Sequence, residues 1–428
     1  MSNLVQLKQE IVNTYPDFQA KAEKAWAEVT SDLAKVSKAI AEQGPDYLPS
    51  VEYSSLSSLP ADKLAELKRK GTFIIRNVVP REEALEWKQG LDEFVAANPN
   101  VEGTPAEKPQ YFQIFYTKPQ VLARAHPHVL ETQTWCNQLY SSSSTDQPID
   151  LGAPLTYVDR FRIRQPGFAW GAHPPHMDGG SIERWQDPVF RSCFEHILEG
   201  DWRAHDAYSL KGRLGARTSM KGLPNQASIF RTFQGWLALS DTAPQEGTLK
   251  VFPDILLSTA YIILRPFFTC TVDLSDPSAL DANNWKFDIS SPTFHGVSLD
   301  ANAGVSGAAR PFEFSPASHP HMRLDDTMIS VPTVHPGDMV FWQCDVVHAV
   351  EKEHNGKGDS SVMYIPAVPT CPQNDEYVAR QAELFRKGCP PPDFPQGRTE
   401  LDYKLSATPD EISSPLARRA MGLALAAA

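Results

Sequence analysis

The stretch Pro174-Pro175-His176-Met177-Asp178-Gly179-Gly180 contains the only His-x-Asp pair in the sequence and points to the fold around it. In an extended strand, residues i and i+2 face the same side, so the imidazole of His176 and the carboxylate of Asp178 would lie next to each other. This geometry suits two adjacent ligand positions on one metal ion. Flanking proline and glycine are typical of a strand end. A chain with 12 histidines often contains one such pair by chance, and a third ligand must come from another segment.

A second stretch supplies the candidate third ligand: Pro336-Gly337-Asp338, an apolar segment, and then His348. The Gly-Asp turn enters a predicted strand, and the histidine follows shortly after it. This order is typical of the distal metal-binding histidine in double-stranded β-helix proteins. His335 and His354 are rivals, although both lie in turn-like surroundings. Two histidines and one carboxylate form the facial triad that indicates non-haem Fe(II).

The rest of the chain predicts a mainly β core with flanking helices, which we expect to be a double-stranded β-helix (jelly roll, cupin-like). Strand patterns occur at residues 72–75, 156–164, 227–240, 248–252, 338–342 and 362–367. Helical patterns cover residues 1–43, 61–70, a segment opened by Pro80, residues 374–386 and a short tail near Ala417. The aromatic run at residues 262–268 predicts no regular element.

These patterns divide the chain into three parts of one integrated domain. We expect a helical extension over residues 1–150 and a catalytic β-helix core with insertions over residues 151–370. A C-terminal helical segment over residues 371–428 would complete the domain. The chain has 428 residues, of which 41% are hydrophobic and 21% charged, so it can bury a large core.

Composition excludes several classes of function. The formal net charge of −12 argues against nucleic acid as a partner. No run approaches the roughly 18 consecutive apolar residues of a membrane helix, so we expect no membrane association. No signal peptide is visible, and no two of the six cysteines form a CxxC pair. These features predict reduced thiols and a cytoplasmic location. Dinucleotide, P-loop, serine-hydrolase and HExxH motifs are absent.

The order of motifs resembles a known family. Between the two ligand stretches lie Gln234-x-Trp236-x-Ala238-Leu239-Ser240-Asp241 and Gly247-x-Leu249. With them, the chain looks like the 2-oxoglutarate/Fe(II) oxygenases near the phytanoyl-CoA hydroxylase branch. More closely, it resembles the DUF1479 (YbiU-like) family over most of its length. The matching segments include Arg160-x-Arg162-x-Arg164, His176-x-Asp178, Glu183-Arg184-Trp185, Phe230 to Trp236, Leu264-Arg265-Pro266, Cys344-Asp345 with His348, and Met363-Tyr364-Ile365-Pro366.

The resemblance implies a 2-oxoglutarate/Fe(II)-dependent dioxygenase. Its cofactors would be Fe(II), the cosubstrate 2-oxoglutarate and O2, with His176, Asp178 and His348 as metal ligands and no further catalytic residue. The substrate would be a small amino or carboxylic acid, which the enzyme would oxidise by hydroxylation or oxidative cyclisation. Fungal secondary metabolism uses relatives of this kind, including one that forms an aziridine from valine. The sequence does not indicate the oligomeric state.

The arginine that binds 2-oxoglutarate in the family has no counterpart at the expected place in this sequence. The distal carboxylate of 2-oxoglutarate needs a cation, best a forked arginine. In the family this arginine follows the distal histidine closely, but residues 349–364 contain none. The sequence offers Arg231 and, from the stripe beginning at Arg160, Arg162 and Arg164. Each could equally form a structural ion pair. Weaker candidates are Arg265 and Arg310.

Two other classes of function stay open at this point. The first is a non-catalytic β-helix module that binds ligands or partners, because the missing arginine departs from the oxygenase pattern. The second is a Zn-dependent hydrolase or a cupin-type isomerase. Zinc sites of that kind more often use additional histidine ligands.

Overall fold

The computed structural model describes residues 3–171, 173–218, 227–297 and 312–423. No helix in these ranges is both long and apolar enough to cross a membrane. The helices are α1 (Asn3–Thr14), α2 (Phe18–Gln43), α3 (Ala61–Lys70), α4 (Arg81–Ala97), α5 (Lys118–Ala125), α6 (Pro127–Asn137), α7 (Glu183–Gln186), α8 (Pro188–Arg191), α9 (Glu195–Leu198), α10 (Ile255–Leu264), α11 (Leu324–Thr327), α12 (Pro372–Arg386) and α13 (Pro415–Ala420).

The strands concentrate in the middle of the chain, so the expected combination of a sheet core with helices at both ends is confirmed. They are β1 (Ser50–Glu52), β2 (Thr72–Arg76), β3 (Gly103–Thr104), β4 (Tyr111–Phe112), β5 (Asp150–Leu155), β6 (Phe161–Arg164), β7 (His176–Met177), β8 (Phe233–Ala238), β9 (Leu249–Val251), β10 (Phe268–Cys270), β11 (Trp285–Phe287), β12 (Phe312–Glu313), β13 (Ile329–Ser330), β14 (Met339–Gln343), β15 (His348–Val350), β16 (Ser360–Tyr364) and β17 (Val368–Thr370).

Two sheets form the core. The larger has eight strands in the order β1-β2-β14-β8-β16-β6-β4-β3, and the smaller has five in the order β12-β7-β15-β9-β13. From β6 to β16 the chain passes repeatedly between them: β6, β8, β14 and β16 belong to the larger sheet, and β7, β9, β13 and β15 to the smaller. The ring of Trp342 in β14 lies 5.4 Å from that of His348 in β15, so the two sheets face each other there.

The N-terminal helical pattern is interrupted. The sequence predicts one helix over residues 1–43, but the structure has α1 and α2 with a break at Tyr15-Pro16-Asp17. Proline has no backbone N–H to continue the helix, and Asp17 adopts a left-handed conformation with φ 56°. Trp26 of α2 then stacks on Phe268 with ring centroids 4.4 Å apart. The first helices therefore share a hydrophobic core with the strands.

Helix α10 was not predicted. It spans residues 255–264, overlapping a run for which no regular element was expected. Its sequence, ILLSTAYIIL, has no polar face because nearly every side chain is buried. A helix surrounded by protein shows no amphipathic period, so the periodicity test misses it. The Asp254 carboxylate accepts a hydrogen bond from the Leu257 N–H and caps its N-terminus.

Several strands are shorter than predicted, because pairing partners and not local pattern set their ends. The predicted strand over residues 227–240 is regular only in β8, and that over residues 156–164 only in β6. Residues just before β6 bond to the C-terminal region instead: the Thr156 N–H donates to Ala420 O, and the Val158 N–H to the Gln381 side chain. The three-part division of the chain stays a prediction.

Gly235, in the middle of β8, permits close packing of Phe341 from the neighbouring strand β14. A Cβ atom at this position would lie 2.6 Å from Phe341 Cδ1 and 2.9 Å from Ile365 O. We expect Gly235→Ala to lower the free energy of unfolding by about 1–3 kcal/mol, the usual cost of overpacking. Urea denaturation followed by circular dichroism would measure the change. Gly358→Ala is the matched control, because a Cβ there meets nothing within 4 Å. Equal stability of the two variants would contradict the prediction.

Candidate metal centre

The smaller sheet brings the two histidines of the predicted triad together. β7 and β15 are antiparallel neighbours in which His176 lies directly opposite His348, and their ring centroids are 4.2 Å apart. Asp178 directly follows β7, and Gly179 and Gly180 then turn the chain with φ of 73° and 102°. Each of the three side chains offers a ligand atom within 4.8 Å of the others.

The carboxylate of Asp178 lies between the two imidazoles. Nε2 of His176 is 3.9 Å from Oδ1, and Nε2 of His348 is 3.5 Å from Oδ2. Both histidines are about 95% buried, whereas 36% of the Asp178 side chain is exposed. The cluster is therefore held by the core and reached by solvent from the aspartate side.

Backbone carbonyls fix the tautomer of both imidazoles. Nδ1 of His176 lies 2.7 Å from Pro174 O, and Nδ1 of His348 lies 3.1 Å from Val346 O. A carbonyl only accepts, so each Nδ1 carries the proton and donates it. Each Nε2 then presents a lone pair toward Asp178, the arrangement that second-shell carbonyls give to metal-binding histidines.

Gln234 of β8 connects the cluster to the larger sheet. With its amide nitrogen toward Asp178, Nε2 donates to Oδ2 at 2.9 Å, and the amide oxygen accepts from Trp342 Nε1–H at 3.1 Å. The opposite orientation would place oxygen against oxygen and N–H against N–H. This hydrogen-bonded chain fixes the carboxylate from the side opposite the histidines.

The electrostatics favour the protonation states that bind a metal. Desolvation opposes ionisation of Asp178, but the neighbouring imidazoles of His348 and His176 and the positive charge of Arg231 outweigh it, so the pKa of the carboxyl lies well below its usual value. Burial, together with the neighbouring His348, lowers the pKa of His176 to about 4. Near neutral pH the site therefore combines a carboxylate with a neutral imidazole at His176.

A buried ion-pair network supports the loop that carries Asp178. Arg184 donates from Nη1 to Asp345 Oδ1 at 2.7 Å and from Nη2 to the Asp178 carbonyl at 3.2 Å. Arg213 donates to the other oxygen of Asp345 at 2.8 Å. Arg184 thus ties the Asp178 loop to the turn between β14 and β15. Among the sequence signals, only the family-like segments around Arg184 and Asp345 pointed to this network, and they gave no role for it.

Both Nη groups of Arg164 are used by the structure, although its Nε is buried without a partner among the described residues. Its two Nη groups donate to four backbone carbonyls, those of Phe168, Gly247, Glu351 and Lys352, at 2.6–3.4 Å. No Nη hydrogen remains for a ligand, so Arg164 cannot offer the forked pair of donors that its predicted cofactor role requires.

Other arginines from the candidate set also have structural partners. Arg160 bonds to the Asp159 carboxylate at 2.9 Å and lies over the Tyr111 ring, 4.5 Å from its centroid. Arg265 donates to the carbonyls of Phe268 and Ser318. Arg310 lies outside the described residues. Neither rival histidine joins the cluster: His335 bonds to Asp241, and His354 accepts from the Gly356 N–H.

Arg162 and Arg231 remain as candidate anion-binding groups. Arg162 is 5% exposed, and its one hydrogen bond among the described residues is a 3.3 Å contact from Nη2 to Ser360 Oγ. Its Nε is buried without a partner. The Arg231 guanidinium is half-buried beside the Tyr157 ring, 5.9 Å from the centroid. Within the described ranges, neither arginine has a carboxylate oxygen within 4.0 Å.

The register of the larger sheet places Arg162 on the same face as the metal cluster. Arg162 lies opposite Val362, which lies opposite Ala238. Ala238 shares a face of β8 with Gln234, because alternate residues point to the same side. Gln234 is the residue that contacts Asp178. The Arg162 side chain therefore enters the space between the two sheets.

Together these features define a two-sheet core protein with a candidate mononuclear metal centre of two histidines and one aspartate. The chain belongs to the Gig2-like family, whose model matches residues 1–423. This membership confirms the resemblance to DUF1479 proteins, since the Candida albicans relative described next carries that designation.

Three relatives illustrate the similarity. The uncharacterized protein YbiU of Escherichia coli (strain K12) is 29% identical over 411 residues, covering 92% of this chain and 90% of YbiU. The crystal structure of GlcNAc Inducible Gene 2, GIG2 (DUF1479), from Candida albicans matches with 31% identity and a TM-score of 0.85, covering 99% of this chain and 89% of that one. A Salmonella typhimurium LT2 structure, of a proposed oxidoreductase, matches with 28% identity and a TM-score of 0.79, covering 98% and 96%.

Proposed function

We propose that the protein is a non-haem Fe(II)- and 2-oxoglutarate-dependent oxygenase. The observation that carries the proposal is the cluster of His176, Asp178 and His348 between the two sheets, with both Nε2 atoms directed at the carboxylate. Two imidazoles and one carboxylate match the ligand set of non-haem Fe(II) oxygenases. The name of the Salmonella relative, a proposed oxidoreductase, is consistent with this class.

The path of the chain supports a jelly-roll interpretation of the core. Strands β6, β7, β8 and β9 alternate between the larger and smaller sheets, and β13, β14, β15 and β16 do the same in the second half. We infer that these eight strands form the predicted double-stranded β-helix. In that arrangement the two histidines come from adjacent strands of the smaller sheet, and the larger sheet faces them.

The donor set fits Fe(II) better than structural zinc. A structural zinc site is closed by four protein ligands. Among the described residues, the cluster contains three. Three ligands leave positions for 2-oxoglutarate and O2, and with them bound the iron would supply oxidation of a substrate C–H bond. The protein's own task is to present both imidazoles as the correct tautomer, keep Asp178 ionised and exclude water around the target.

Arg162 is the best candidate to bind the distal carboxylate of 2-oxoglutarate. In the family pattern an arginine follows the distal histidine closely, but residues 349–364, which include β16, contain none. Arg162 comes from the neighbouring strand β6 and reaches Ser360 Oγ. Its guanidinium is buried and has no carboxylate partner among the described residues, which supports Arg162 as the replacement for that arginine. Burying such a charge is costly without an anionic partner.

The reaction would follow the stoichiometry of this class. One 2-oxoglutarate and one O2 are consumed, and succinate and CO2 are released. In hydroxylation the second oxygen atom enters the substrate; in oxidative cyclisation the substrate loses two hydrogen atoms and that oxygen leaves as water. We propose a small amino or carboxylic acid as substrate, and aziridine formation from valine is one such cyclisation.

The proposal is tested by 2-oxoglutarate turnover. Purified protein is loaded anaerobically with Fe(II) or Zn(II) and mixed with 2-oxoglutarate, air and a panel of amino and carboxylic acids, and succinate is measured. We expect succinate release with Fe(II) only, because zinc has no redox chemistry. If no compound elicited succinate and 2-oxoglutarate did not bind to the Fe(II) protein, the oxygenase assignment would be wrong. Conversion of one of the added acids by the Zn(II) protein without succinate release would favour a hydrolase or isomerase.

A further inference from the structure

Arg231 is a second cation near the metal centre with no protein anion to balance it. Its guanidinium takes part in no hydrogen bond or ion pair among the described residues, and its neighbours are the Tyr157 ring and the Cys344 thiol, which donates to the Arg231 carbonyl. Along the chain, Arg231 lies three residues before Gln234, the residue whose amide contacts Asp178. In the part of the chain that the structure describes, Arg231 therefore forms no structural ion pair, the ordinary role for a half-buried arginine.

The backbone positions of Arg231 and Arg162 lie on either side of Gln234 along the larger sheet. Along the β8 segment, Arg231 precedes Gln234 by three residues, whereas Arg162 is level with Ala238, four residues after Gln234. At roughly 3.3 Å per residue, β8 alone spans about 17 Å between Phe233 and Ala238, and Gln234, which contacts Asp178, lies between Arg231 and Ala238. Arg162 is 5% exposed and Arg231 is half-buried, so Arg162 is the deeper group and Arg231 the more accessible one.

A single dicarboxylate bound at the metal needs one cation for its distal carboxylate, whereas Arg231 and Arg162 come from well-separated positions on the larger sheet. If Arg162 binds the cosubstrate, Arg231 is left for a different anion that enters from the exposed side. A forked guanidinium prefers a carboxylate, which accepts two parallel hydrogen bonds. The Tyr157 ring beside it shields one face of the pair from water.

We propose that Arg231 binds the carboxylate of the substrate and so restricts the substrate to carboxylic acids. This inference rests on the proposed oxygenase function. A carboxylate held at Arg231 places the carbons next to it toward Asp178, so the oxidised C–H bond lies within a few bonds of the carboxylate. Short acids, including amino acids, fit this geometry.

The experiment compares acids with their uncharged analogues. The anaerobic Fe(II)·2-oxoglutarate complex is titrated with L-valine and isobutyrate, and with valinamide and isobutyramide, while its visible absorption band is monitored. We expect the acids to perturb the band at concentrations about tenfold or more below those of the amides, because the amides cannot form a charge-assisted hydrogen bond. Arg231→Gln should remove this preference, and Arg231→Lys should retain part of it.

Controls separate this inference from the function on which it rests. Arg231→Gln should bind Fe(II) and 2-oxoglutarate with the same dissociation constants as the original protein, and Arg323→Gln, at an exposed position, should keep the preference for acids. Equal responses to acids and amides, no response to any of the four compounds, or an unchanged preference in Arg231→Gln would overturn the role of Arg231. Failure of the original protein to bind 2-oxoglutarate would instead overturn the oxygenase proposal.

Discussion

Asp178→Asn is expected to abolish Fe(II) binding and, with it, 2-oxoglutarate-dependent succinate release. Asp178 supplies the single negative charge in the cluster, and both Nε2 atoms approach its carboxylate within 3.9 Å. Asparagine keeps the size of the side chain but removes that charge and turns one acceptor oxygen into a donor. The loss of metal affinity should exceed the roughly 10–100-fold that follows from removing an outer-shell partner.

Competition with a chromogenic chelator under anaerobic conditions would measure the affinity, and succinate release would measure turnover. Asp241→Asn is the matched control, because Asp241 is a half-exposed carboxylate that bonds to Arg81 and His335 away from the cluster. It should bind Fe(II) as the original protein does. If Asp178→Asn bound Fe(II) with unchanged affinity, the three residues would not form the proposed metal site.

Local spacing made the first two members of the cluster predictable. His176 and Asp178 are two residues apart, and a strand places such residues on one face whatever the rest of the fold does. His348 could be predicted because it follows a recognisable turn and strand. Its position opposite His176, however, depends on the pairing of β15 with β7, which no local pattern encodes.

The sequence could not predict which groups surround each arginine. Arg162 and Arg164 are two residues apart in β6 and carry the same charge. Arg164 is held by carbonyls from three separate segments, whereas Arg162 meets one hydroxyl group. Sequence pattern shows which face a side chain occupies, but the groups it meets come from loops distant in the chain. The contact between the Gln234 amide and Asp178 could not be predicted for the same reason.

Arg162→Gln is expected to weaken 2-oxoglutarate binding strongly while leaving Fe(II) binding intact. A hydrogen bond to a charged group contributes about 1.5–3 kcal/mol, and each 1.4 kcal/mol is a factor of ten in affinity. The dissociation constant for 2-oxoglutarate should therefore rise by about 10–100-fold. The affinity of Arg162→Lys for 2-oxoglutarate should lie between those of the original protein and Arg162→Gln, because lysine restores the charge without the forked donors.

The matched control for this variant is Arg160→Gln, two residues earlier on the same strand. Arg160 already bonds to Asp159 and stacks on Tyr111, so its removal should leave 2-oxoglutarate affinity unchanged. Titration of the anaerobic Fe(II) protein with 2-oxoglutarate would compare all three variants. An unchanged affinity in Arg162→Gln would place the distal carboxylate elsewhere. If Arg231→Gln showed the loss instead, Arg231 would be the cosubstrate anchor, and Arg162 would become the unpaired cation that requires a second anion.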